Sequence, residues 1–536
     1  MKRSKFSRTR LMASSSILGL LITTGASCAA LADGPPRRGG TLIYTIGVDP
    51  PFLHQAVTNG LPEGLVGCVL YQGLTRLSGE DGLTPALAKS WTISPDGKTY
   101  TFDLVKANWH DGKPFTSADV KFSLTEVNMK LQPTFAASSG RAIESVEAPA
   151  PDKVVIKLKQ PFGPLLQTLS CSFGGTILPA HIYQGTDILK NPANTANPVG
   201  TGPFKLSEWK RGDYLRMARN ADYWEPGKPY LDEIVAKIIP QPAARAQALV
   251  AGEVDYVTDY YLAPNDYAQV SASPKLELQP AQLPPTINLM FLNVKHKPID
   301  DKRVRQALLM GTDREFLVKN AYLAGEVGTM PFTNRIPWAA DEKIDYRKMY
   351  PFDPARANAL LDQAGLKRGA DGMRFKFEIV YAADEVAPPL VAAALKSMWR
   401  AIGVDVINSP TERATYNKRV FTDGNFDGML TGYTSYGDPS LGLARIFVTS
   451  SIGKFFGNAS GYSNPKIDEL FEKGEQAQGE QARGVFYREA QGILADEMPV
   501  LTLHEKVVYD GRSKMVKGPH ADNYFYNSWR ENWIEK

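Results

Sequence analysis

Cysteine is scarce in this chain: Cys28, Cys68 and Cys171 are the only three among 536 residues. So few exclude a disulfide-stapled miniature scaffold and every paired-cysteine zinc motif. Histidine is nearly as sparse. The six, His54, His110, His181, His296, His504 and His520, include no pair three or four residues apart, the spacing that sets two ligands on one helix face. His504-Glu505 opens like a zinc-protease motif, and no histidine follows at the required place. Catalytic signatures are missing too. There is no Gly-x-Ser-x-Gly elbow and no Walker loop. Ser207–Lys210 and Ser463–Lys466 have the Ser-x-x-Lys spacing but lack the Lys-Thr-Gly element that would accompany it. No catalytic residue, metal site or cofactor is expected.

Long apolar runs are also lacking, apart from one at the start. Lys2, Arg3, Lys5, Arg8 and Arg10 precede an apolar stretch from Leu11 to Ile22, and Ala30-Leu31-Ala32 follows. A basic n-region, a short apolar h-region and a small-x-small site predict an export signal, residues 1–32, cleaved after Ala32. The stretch is too short for a permanent anchor. Cys28 raises lipidation as an alternative, but Gly25 is a poor residue three places before it.

Removing 1–32 takes away five positive charges and no negative ones, so the formal charge moves from +4 to −1. No basic excess then remains to neutralise phosphates, which argues against nucleic acid and anionic membranes as partners. In an oxidising compartment Cys68 and Cys171 either pair or stand as two buried thiols.

What is present reads as an α/β protein of more than one domain. Thr41–Ile46 is β-rich between glycines, and a helical stretch follows around Leu65–Leu74. Trp91–Ser94, the turn Pro95-Asp-Gly-Lys and Thr99–Leu104 form a hairpin, with Tyr100, Phe102 and Leu104 on one face. Thr116 with Asp119 starts a helix over Ser117–Val127, and Val154–Leu158 is a strand. Gln241–Ala251 reads as a helix stopped by Gly252. Thr312–Glu315 reads as a capping box within a helix pair over Asp300–Tyr322, and Asp353-Pro354 as a helix start. Phe375–Tyr381, Pro389–Ala401 and Val404–Ile407 then give strand, helix and strand, hence a parallel pair. Ligands of open α/β sheets settle at the carboxyl ends of strands, which points to the loops after Tyr381 and Leu430. Tyr433, Tyr436 and Tyr462 flank a Gly/Ser-rich loop there, and Trp338 sits in a Pro-rich connector. They suit either a pocket or rim packing. Tyr524, Phe525, Tyr526, Trp529 and Trp533 read as core that closes the first domain.

Several motifs run in order along the chain. They are Leu83–Trp91, Ser94–Phe102, His110–Val120, Asn197–Phe204, Arg219–Trp224, Asn293 with Pro298–Ala307, and Asp353-Pro-Ala-Arg-Ala. Together they resemble the bacterial extracellular solute-binding proteins of family 5, the dipeptide, oligopeptide and nickel type. The resemblance implies a two-lobed periplasmic binding protein fold (type II, cluster C) with an extra β-rich subdomain in the first lobe. Lobe one would be 33–286 with the return 501–536, and lobe two 287–500. Two hinge crossings would lie near Leu283–Leu292 and Pro499–Leu503. It further implies a monomeric receptor of an ABC importer that closes on a solute and docks on the permease.

Dipeptide binders of that family hold the ligand amino group with an aspartate in the loop matching Gly432–Pro439, where this chain has Ser435 or Tyr436. Their carboxylate-binding arginine would fall at Ala382 or Ala383. Both anchors are absent, so a modified solute is expected: a longer peptide, an opine or a sugar conjugate, unless Arg413, Asp384 or Glu385 substitutes. The candidate contacts are Phe52, His54, Thr58 and Asn59 after the first strand. Trp338, Tyr381, Asp384, Arg413, Tyr433, Ser435, Tyr436 and Asp438 join them from the second lobe. A metal or metallophore receptor using His54, and an exported hydrolase, are the other two classes.

Overall fold

A computed structural model describes residues 35–78, 82–281, 284–519 and 526–535. The export signal with Cys28, and Tyr524 and Phe525, lie outside the described residues. No described helix is long and apolar enough to cross a membrane.

Three sheets organise the chain. The first has seven strands in the order Leu276–Pro280, Tyr509–Ser513, Tyr256–Val257, Thr41–Ile46, Glu233–Ile238, Tyr214–Arg219, Phe204–Lys210. Thr41–Ile46 runs parallel to both of its neighbours. The second has six, in the order Glu326–Val327, Val500–Glu505, Thr286–Leu292, Gly428–Thr434, Phe375–Ala382, Val404–Thr411. The strand–helix–strand unit is parallel as expected, with Phe375 opposite Val404, and its crossover helix is Ala387–Arg400. A smaller antiparallel sheet holds Ala88–Ile93, Thr99–Leu104, Lys153–Leu158 and Ile143–Ala150. This is the β-rich addition to the first lobe.

Period-two patterning explains the small sheet. Tyr100, Phe102 and Leu104 are buried from one face of their strand, with Val154, Ile156 and Leu158 beside them. The partner arm is an edge, and there Trp91 is half-buried while Ile93 is exposed. Both faces of the second sheet are covered. Met290, Phe377 and Trp399 belong to one core, Phe291, Tyr433 and Phe447 to the other, and Val500–Glu505 is buried along its whole length.

Helix punctuation follows local chemistry. Gly252 ends Pro242–Ala251 at φ 75°, in the left-handed region that glycine enters freely. Asp353 caps Pro354–Gln363 by accepting from Arg356 N. One expected cap moves by a residue: Asp313, not Thr312, accepts from Phe316 N. Thr312 is buried, where its hydroxyl donates to Leu308 O and accepts from Trp399 Nε1. The helix expected over Leu65–Leu74 is Leu61–Leu70, begun by Pro62 at its second position. Cys68 on this helix is disulfide-bonded to Cys171.

The chain passes from the first sheet to the second between Pro280 and Thr286, and back between Glu505 and Tyr509. The return therefore comes later than the expected Pro499–Leu503. Val500–Glu505 pairs throughout with Thr286–Leu292 and belongs to the second sheet. At the C-terminus Trp529 packs on Tyr44 and Tyr256, and Tyr526 accepts a hydrogen bond from Gln55, so this segment does close the first lobe.

Candidate ligand cleft

A cavity of about 570 Å³ lies between the two large sheets, beside the crossings. Arg245, Asp259 and Tyr260 line it from the first lobe; Thr286, Asn288 and Tyr322 line it from the second, and Lys506 from the returning crossing. A smaller pocket of about 180 Å³ shares Asn288 and Tyr322 with it and continues to Glu385 and the start of the Ala387–Arg400 helix. Both lie beside the carboxyl ends of Phe375–Ala382 and Gly428–Thr434.

The polar groups in the walls are held in place. Lys506 lies over the Tyr260 ring, 5.2 Å from its centroid, with Nζ 3.8 Å from Asp259. Asp259 Oδ2 is buried and accepts no hydrogen bond from a described residue. Burial, and then the neighbouring Asp510, push the Asp259 carboxyl well above the ordinary carboxylate range. Arg245 is held by Ile239 O at 2.7 Å and Pro240 O at 2.6 Å, and stacks over Tyr261. His504 lies parallel to Tyr322 with ring centroids 4.1 Å apart, and burial brings its pKa down to about 4.

Direct contacts also join the lobes. Tyr436 sets its ring edge against Phe173, and its carbonyl accepts from Gln167 Nε2, both on the first lobe. Gly163 N donates to Glu475 O at 2.8 Å across the same junction. Between these contacts runs a groove of about 320 Å³, lined among others by Leu166, Gln167, Arg335 and Trp338.

The expected contacts divide sharply. Tyr436 stands at the lobe junction and Trp338 faces the groove, with Arg483 over its ring at 5.2 Å. Asp384 and Arg413 meet as an ion pair at 2.8 Å, with Glu385 on the same guanidinium at 2.8 Å. The rest require correction. His54 is fully buried: Nε2 bonds Asn194 Oδ1 at 2.8 Å and Nδ1 accepts from Ala56 N, so no nitrogen is left for a metal. Its burial follows from the edge-on rings of Tyr71 and Tyr183. Phe52 is half-buried against His54. Thr58 accepts from Gly60 N, and Asn59 Oδ1 accepts from Gln132 and Thr134, so both secure their loop.

Tyr381 and Tyr433 lie in the cores on either face of the second sheet. Ser435 is wholly buried and donates to Pro285 O at 2.9 Å, which ties the loop to the outgoing crossing. Asp438 is buried in a two-pronged pair with Arg483 and caps Ser440 N. Asn288, Tyr322, Asp259 and Lys506 were not foreseen as wall residues. Only Asn288 left a trace, as a polar residue inside the otherwise apolar Ile287–Leu292.

Residues 82–454 match the family model described as bacterial extracellular solute-binding proteins, family 5 middle. A dipeptide-binding protein of Pseudomonas aeruginosa is 30% identical over 96% of this chain and 97% of its own. The solved structure of HbpA2 from Haemophilus parasuis superposes with a TM-score of 0.83 at 25% identity, covering 93% of this chain and all of that one (100%). The oligopeptide-binding protein AppA of Bacillus subtilis, in complex with a nonapeptide, does so with a TM-score of 0.71 at 26% identity, over 94% and 100% of the two chains.

Proposed function

The chain belongs to the bacterial extracellular solute-binding proteins of family 5, and from that premise we propose that it captures a peptide-like or modified polar solute for an ABC importer. Two lobes joined by two short crossings trap the solute between their sheets, and the closed form hands it to the permease. The protein acts in the periplasm as a monomer, after loss of residues 1–32, and runs no reaction of its own. Closure moves the strands before Pro280 and after Tyr509 against those from Thr286 to Glu505, about the short crossings between them.

The observation that carries this reading is the shared cavity. Its walls come from both lobes and from a crossing, so a solute that fills it contacts more groups in the closed form than in the open one. Such a differential is what allows a ligand to drive closure. The cavity joins a pocket on the second lobe that sets Asn288, Tyr322 and Glu385 among apolar residues, which suits a solute bearing a charged end rather than a wholly apolar one. Long peptides fit the family, as the nonapeptide complex of the Bacillus protein illustrates. The metal-receptor alternative loses its proposed ligand with His54.

Native mass spectrometry of the purified protein tests the reading, combined with small-angle scattering before and after solute removal. A retained small molecule and a smaller radius of gyration when loaded are expected. A protein that retains nothing, takes up no peptide, opine or sugar conjugate, and never changes shape would refute it.

A further inference from the structure

The small pocket on the second lobe presents acceptors and almost no donors. The orientation of Asn288 can be deduced from its neighbours. Ala324 O can only accept, so the 2.7 Å contact with His504 Nε2 puts the ring proton on that nitrogen. His504 Nδ1 then carries a lone pair, and Asn288 must turn its amide NH2 toward it, at 2.8 Å. Asn288 Oδ1 is left free. No described residue donates to it, and none donates to Glu385 Oε2 or accepts from Tyr322 Oη. Gly432 keeps this oxygen accessible, since a Cβ there would stand 2.8 Å from it.

Apart from the Tyr322 hydroxyl, the donors nearest the pocket are few or engaged. The Ala387–Arg400 helix begins at the pocket, yet Pro388 and Pro389 remove two of its first four N–H groups. Arg413 is the nearest cation, and Asp384 grips it through both oxygens at 3.2 Å and 2.8 Å. Arg413, Asp384 and Glu385 together carry one excess negative charge, and Glu385, which meets Arg413 through Oε1 at 2.8 Å, leaves Oε2 without a described donor. Pro388 and the buried Leu430 supply apolar sides.

We propose that this pocket is the subsite for a cationic group of the solute, an ammonium or guanidinium, with Glu385 as counter-ion and Asn288 Oδ1 and Tyr322 Oη as neutral acceptors. A donor-only head can donate to all three oxygens at once, whereas a carboxylate would face acceptors at Glu385 and Asn288 Oδ1 and could take a hydrogen bond only from the Tyr322 hydroxyl. His504 is a positioning residue here, because its tautomer holds the Asn288 amide in the accepting sense. The rest of the solute extends into the larger cavity, where Lys506 stands as the opposite charge. The assignment rests on the receptor reading above.

The test is a thermodynamic cycle on the solute-stripped full-length protein, read by calorimetry. The probes are Ala-Ala-Ala and Arg-Ala-Ala, each with a free and an acetylated N-terminus, and citrulline-Ala-Ala. In the wild type, removing the cationic group that enters the pocket weakens binding by about tenfold or more. Glu385→Gln, which keeps the shape and the Arg413 contact, lowers affinity for the charged probe similarly. In that variant, neutralising the probe costs nothing further. A Glu385→Gln protein that binds charged probes as well as wild type, or that discriminates charge as strongly, overturns the subsite and leaves the receptor reading intact. A wild type that binds no probe and retains no solute overturns both.

Discussion

Tyr436 of the second lobe meets Phe173 of the first ring edge to ring face, with centroids 5.9 Å apart and planes at 80°. This contact joins the two lobes beside the cleft. Tyr436 is held there at φ 55°, a left-handed conformation that a non-glycine residue adopts at a cost. Its carbonyl accepts from Gln167 at the same place.

Replacing Tyr436 by alanine keeps that backbone cost and the Gln167 bond but removes the ring. Aromatic pairs of this kind contribute about 0.5–1.5 kcal/mol beyond burial. Solute affinity should fall by roughly twofold to tenfold on that basis, with a faster off-rate. Small-angle scattering of the loaded variant should show a larger open fraction. An unchanged off-rate would mean that the contact does not hold the lobes together.

The Asp438–Arg483 pair is buried on both sides, with Tyr487 Oη also accepting from Arg483. Asp438→Ala would leave the guanidinium buried without its partner, a loss of about 3–5 kcal/mol. The urea midpoint should drop accordingly. Exchanging Asp384 for alanine, an exposed pair member, should cost no more than about 1 kcal/mol. Equal effects from the two substitutions would contradict the burial argument.

Glu505 is buried, accepts from Thr333 at 2.8 Å, and has its pKa raised from 4.5 to about 7 by burial. Between those two values the native protein keeps a proton that the unfolded chain has released. Its contribution is therefore fully present below about pH 4.5 and is lost as pH rises through about 7, by roughly 3 kcal/mol in all. His54, His110 and His504, held near 4 by burial, act in the opposite sense, losing stability as pH falls from 6.5 toward 4. The difference between Glu505→Gln and wild type isolates the glutamate. It should grow in the variant's favour from pH 5 to pH 8 in urea denaturation, and a flat difference would refute the shift.

The Cys68–Cys171 bond closes a separation of 103 residues. On the chain-entropy account its loss costs about 4–5 kcal/mol. A Cys68→Ser, Cys171→Ser protein, or the reduced wild type, should unfold at clearly lower denaturant. Solute affinity should change little in the folded protein, because neither cysteine lines the described cavities. Parallel losses of affinity and stability would place the bond closer to the cleft.

The order of motifs from Leu83 to Ala357 determined the family and the two-lobed fold. Alternating Tyr100, Phe102 and Leu104, the capped helix at Asp353 and the parallel pair at Phe375 and Val404 determined local structure, since each depends on neighbours within a few residues. The strand-end rule pointed to loops after Tyr381 and Leu430, but the second strand runs on to Thr434. What the sequence could not show was which way each side chain on those loops points. Tyr433 and Tyr436 stand three residues apart, and the alternation of a strand buries the first while the turn after it sends the second to the lobe junction. His54, read as a candidate ligand contact, is enclosed by Tyr71 and Tyr183, which are distant in sequence. Asn288, Tyr322 and Glu385 come from three separated segments, and only the packing of His504 between the first two gives their pocket its acceptor character. Long-range packing decided those orientations, because burial and hydrogen-bond satisfaction are settled between segments and not within them.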